Sequence, residues 1–216
     1  MIHGRLRENL SQEDIRFVVT TLAQEGAEAD GLLKLLTDVA MRDQILEDPG
    51  LYEAVARATV PLKFSLELYF YICLRKWMKE AGLLRIDLSA FMAEALAKFP
   101  PRPKPGVHTS DYVEVLNKAR DYEWFCLNVE LGNRALILSS IYAETIYKPK
   151  KIYKVAGLNY YENLGRACYH NASKHKLAEE FELKGTLKIL ADEFVRVRAV
   201  LKDSMREPYM KVVKGI

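Results

Sequence analysis

The sequence predicts an all-α protein, a multi-helix bundle of about eight helices, and three observations carry that prediction. Apolar residues recur at three- and four-residue steps through most of the 216 residues. Serine, aspartate and proline stand where such segments begin, with glycine or proline where they stop. No alternating run is followed by a hairpin turn that would give it a strand partner.

Ser11, followed by Gln12, Glu13 and Asp14, starts a first helix that runs to about Gln24 and ends at Gly26. A second helix of about 15 residues carries Leu32, Leu33, Leu36, Val39, Ala40 and Ile45. Asp48-Pro49-Gly50 closes it, and Pro49 opens a short third helix whose inward stripe is Leu51, Val55 and Ala58. In 62–74, Leu62, Phe64, Leu66, Leu68, Phe70, Ile72 and Leu74 alternate with other residues as in a strand. With no second strand to satisfy its backbone, the segment is expected as a buried helix running through Arg75-Lys76-Trp77-Met78-Lys79 to Gly82. Asp87 or Ser89 caps the next helix, 90–99.

The proline-rich run 100–108 is an extended linker, which divides the chain into an N-terminal helical subdomain, 1–99, and a C-terminal one, 109–216, packed on the first. Its prolines also fit a PxxP ligand. Beyond it, Ser110 or Asp111 starts a long helix through Val115, Leu116, Ala119, Trp124, Phe125 and Leu131, kinked or broken at Gly132-Asn133 before 135–146. A helix over 158–181 follows. After Gly185 comes a last one, in which Leu183, Leu187, Leu190, Phe194, Val197 and Leu201 repeat as a seam. Such a seam packs inside its own bundle or against a second subunit, so a homodimer is an open expectation.

Composition limits the function. Half the residues are hydrophobic and 28% charged, the balance of a globular chain that buries roughly 70% of its unfolded surface without staples. A formal net charge of +3 does not mark a nucleic-acid protein. Cys73, Cys126 and Cys168 are far apart in apolar patterns and read as reduced thiols, which with no secretory leader and no span of roughly 20 apolar residues places the chain in the cytoplasm, off the membrane. GxSxG, P-loop and GxGxxG sequences do not occur, and no cofactor is expected.

Chemistry concentrates in Tyr160, Tyr161, Glu162, Arg166, Tyr169 and His170. On a helix Glu162 and Arg166 are four apart, and Arg166 is three from Tyr169 and four from His170, so they share a face. As a site, Arg166 would bind an anion, Glu162 would orient it and His170 would move a proton. As structure, the same residues make a salt bridge with tyrosines anchoring neighbouring helices, while Gly165 and Ala172 let another helix approach. His170 and His175 diverge around a helix. His175 and Glu179 supply half a metal site at most, so no metal is expected. Lys148, Lys150, Lys151 and Lys154, with Tyr153, offer phosphate contacts and one stacking ring, or simply a solvated loop.

The runs Asp48-Pro49-Gly50-Leu51-Tyr52-Glu53-Ala54, Gly132-Asn133-Arg134-Ala135-Leu136 and Gly157-Leu158-Asn159-Tyr160-Tyr161-Glu162 with Gly165-Arg166 and Tyr169 resemble those of uncharacterised bacterial all-helical proteins of similar length. The resemblance implies one shared architecture and brings no activity or site residue with it. The expected function is binding of a protein or small-molecule partner through the Tyr160 to His170 face. The alternatives are an enzyme using Glu162, Arg166, Tyr169 and His170, and weak nucleic-acid binding through the lysine loop.

Overall fold

In the computed structural model, residues 10–23, 26–99, 114–116, 118–143 and 157–214 are described; the linker 100–108 and the lysine loop 148–154 lie outside them. Among the described residues the chain is all-helical, with twelve α-helices against the eight expected. The excess arises because several predicted helices are interrupted by short breaks, at residues 36–38, at Ala119-Arg120, at His175 and at Glu193. The chain groups into two units, one of residues 3–98 with 207–216 and one of residues 99–206.

In the first unit, α1 (Gln12–Leu22) starts with a reciprocal cap: Asp14 N–H donates to Ser11 Oγ at 3.1 Å, and Ser11 N–H to Asp14 Oδ2 at 3.2 Å. Gly26 begins α2 (Gly26–Leu35) instead of merely ending α1. The single helix expected over the following residues is two, because Asp38 turns extended (φ −87, ψ 128) and caps α3 (Val39–Ile45) through Met41 N–H at 2.9 Å. Asp48 accepts from Gly50 N–H at 2.7 Å and Pro49 opens α4 (Pro49–Arg57), with Leu51 and Val55 fully buried.

Helix α5 (Leu66–Glu80) resolves the alternating segment as helix, starting at Leu66 rather than 62 because Ser65 caps it through Leu68 N–H at 3.1 Å. Positions 68 through 75 and Met78 are buried, as expected of a central helix. Gly82, at φ 73, ends it in left-handed backbone that glycine adopts freely. Helix α6 (Ile86–Lys98) begins ahead of both predicted caps; Asp87 lies in its first turn and Ser89 is buried, donating to Met78 Sδ at 3.3 Å. The chain's last helix, α12 (Arg206–Lys214), seats buried Tyr209 on Phe70 at 5.7 Å between ring centroids.

In the second unit, residues 114–116 and 118 are helical, but the long helix expected from 110 is interrupted at Ala119-Arg120, and Asp121 takes a left-handed φ of 47. Helix α7 (Asp121–Ser140) then passes unbroken through Gly132-Asn133. Gly132 is there for space, not for a kink: a Cβ on it would lie 2.7 Å from the Tyr169 ring. The helix expected over 158–181 is α8 (Leu158–Lys174) and α9 (Lys176–Glu180), split where His175 turns extended and its Nδ1 accepts from Leu177 N–H at 3.3 Å. Gly185 lies inside α10 (Lys184–Asp192) and is no separator. The predicted seam continues through α11 (Phe194–Val200) to a π-helical turn, Leu201–Met205. Its six residues are all at most 5% exposed. No helix among the described residues is long and apolar enough to cross a membrane.

Candidate functional site

The predicted strip on α8 does not converge. Its inner edge, Gly165, Cys168, Tyr169, Ala172 and Ser173, is buried. A Cβ on Gly165 would fall 2.3 Å from Phe194 Cε2 and 3.2 Å from the Ala135 Cβ, so glycine is what admits the phenyl ring. Glu162 and Arg166, four apart, do not pair. Glu162 Oε1 instead takes Arg198 Nη2 at 3.0 Å, with only 20% and 16% of the two side chains exposed. Arg166 Nε donates at 3.2 Å to the carbonyl of Ala191, in the last turn of α10, where helix carbonyls lack intrahelical partners.

Tyr169 is turned fully inward and its hydroxyl donates to Asn133 Oδ1 at 2.8 Å. Burial raises its pKa well above the ordinary 10.0, with Cys168 adding to the effect, which keeps the phenol a hydrogen-bond donor. Burial likewise pushes the Cys168 thiol up to about 12, an inert core sulfur. Tyr160 and Tyr161 meet edge to face at 5.5 Å, and Tyr160 and His170 stay exposed. The proposed catalytic quartet is therefore four residues with four different surroundings. His175 and Glu179 are also engaged elsewhere: His175 Nε2 lies 3.5 Å from Asp121 Oδ1, and Glu179 pairs with Lys184, which lowers its pKa. Among the described residues no group of three or more His, Cys, Asp or Glu gathers as for a metal.

A cavity of about 360 Å³ opens in the first unit instead. One wall is a single stripe of α5: Ile72, Arg75, Lys76, Lys79 and Glu80, spaced as residues sharing a helix face. The other is the turn between α3 and α4, Leu46 to Pro49, continued by Tyr52 and Glu53 of α4. Leu46 and Ile72 are buried and supply apolar lining; Lys76, Lys79 and Glu80 are exposed. The Asp48-Pro49 signal and the α5 periodicity place these two walls.

Most charges in the lining are already committed. Glu47 takes Arg75 Nε at 2.6 Å and Lys79 Nζ at 2.8 Å. Burial alone would raise the Glu47 pKa, but the hydrogen bonds from Lys79 and Arg75 and their charges outweigh it and hold the carboxyl below 4.5. Asp48 is the α4 cap, and Glu53 pairs with Arg57 at 3.2 Å. Two groups stand apart. Arg75 is 6% exposed, and its Nη1 is buried without a hydrogen-bond partner. The Lys76 ammonium sits 4.0 Å over the Tyr52 ring and 5.1 Å from that of Trp77. It lies within ion-pair distance of no carboxylate among the described residues. Sequence reasoning passed over this site because its walls come from segments about 25 residues apart; Arg75, Lys76 and Lys79 on one face of a largely apolar helix were the available signal. No family model, curated protein or solved structure matches the chain.

Proposed function

We propose that this chain is a non-catalytic binding protein that holds a small molecule in the cavity between the α3–α4 turn and α5. The observation that carries the reading is a pre-formed recess with apolar lining and a charged mouth, in the volume range of small-molecule sites. Glu47, Asp48 and Glu53 are held in ion pairs or a cap, which suits positioning a ligand better than transferring protons. The expected role, binding, is kept; its place moves from the Tyr160 to His170 strip, whose Glu162, Arg166 and Tyr169 serve their own unit.

Methyl-labelled protein titrated with benzyl alcohol tests this by NMR. The resonances of Leu46 and Ile72 are expected to move in a saturable manner while those of Leu187 and Val197, in the other unit, stay still. Unmoved Leu46 and Ile72 methyls would sink the assignment.

A further inference from the structure

The charge arrangement in this cavity goes further than its shape. We infer that its ligand is a small organic anion, with a carboxylate-like group at Lys76 and an apolar body over Leu46 and Ile72; this rests on the cavity being the binding site. Seven charged residues line it. Arg75 and Lys79 share Glu47, Asp48 is spent on a backbone N–H, and Glu53 faces Arg57. Lys76 is left as a cation neutralised by no carboxylate.

The position of Lys76 strengthens the point. Glu80, four residues on, is at the spacing of an intrahelical ion pair, yet the ammonium rests on the Tyr52 ring instead. A cation held by a ring face keeps its N–H donors free for an acceptor. An anion supplies the acceptor that the Lys76 ammonium lacks. A ligand cation would meet Glu80 and Asp48 but would face Lys76 and Lys79 across the same opening.

Three probes of one size separate the possibilities: benzoate, benzyl alcohol and benzylamine, titrated against the full chain while the Leu46 and Ile72 methyls are followed. Benzoate is expected to bind roughly tenfold more tightly than benzyl alcohol, the scale of one charge-assisted hydrogen bond, with benzylamine weakest. Lys76→Met, which keeps the apolar stem on Tyr52, is expected to erase the benzoate preference, so that the variant binds benzoate no more tightly than it binds benzyl alcohol. Equal binding of all three, tighter binding of benzylamine, or a preference that survives Lys76→Met overturns the charge assignment while the cavity reading stands. No shift from any probe overturns both.

Discussion

Helices α5 and α8 are the two long helices on which the candidate sites lie, and they use their polar residues in opposite ways. On α8 the charged groups are turned to neighbours in the same unit: Glu162 to Arg198, Arg166 to the end of α10, Tyr169 to Asn133. On α5 the charged stripe faces a recess, and part of its hydrogen-bonding capacity is unused. The comparison teaches that a concentration of reactive side chains in sequence is a weaker guide to a site than an incomplete set of partners in space.

The sharpest way to probe the contrast is to disturb what makes α8 structural. Gly165→Ala is expected to cost about 3 kcal/mol, because the new methyl meets the buried ring of Phe194 and the Ala135 Cβ, neither of which has room to yield. Thermal or denaturant unfolding measures it, and a change below about 1 kcal/mol would show the packing there to be loose.

On α5, Glu47→Gln is expected to cost about 2 kcal/mol near neutral pH, since it leaves the mostly buried Arg75 without its countercharge. The folded-state pKa of Glu47 is lowered, so between that value and 4.5 the unfolded chain binds the extra proton and folding is favoured as pH rises. The difference between wild type and variant is therefore full above about pH 5 and shrinks as pH falls through the lowered pKa. A gap that widens toward acid would mean that Glu47 is not the group responsible.

The smallest effect belongs to Arg166→Ala, about 0.5–1 kcal/mol, for an exposed residue that loses one hydrogen bond to Ala191. Had Glu162 depended on Arg166, the loss would exceed that of Arg198→Ala. Here the order is expected to reverse, because Arg198 is the partner that Glu162 holds.

Local signals in the sequence were read well where the physics is local. Ser11 and Asp48-Pro49 begin helices because a side-chain oxygen a few residues away settles the matter. The helical reading of 62–74 succeeded from Leu66 onward by the same logic of backbone satisfaction, against its alternating pattern, while 62–65 stay outside the helix. Glycine misled, since Gly132 and Gly165 answer to rings on distant elements rather than to the helices that contain them. So did Glu162, whose nearest cation in sequence lost to Arg198, 36 positions away. Pairings across such separations carry no periodic mark, and the α5 cavity is made entirely of one.

Asp14 shows how far such a pairing reaches. Its carboxylate closes the cap of α1 and also receives Ser65 N–H at 2.7 Å and Ser65 Oγ–H at 2.9 Å. Because Ser65, 51 residues from Asp14, is itself the α5 cap, one acidic side chain anchors the beginnings of two helices. Damage to the first turn of α1 is thereby felt where α5 starts, which couples the upkeep of α1 to that of the recess that α5 lines.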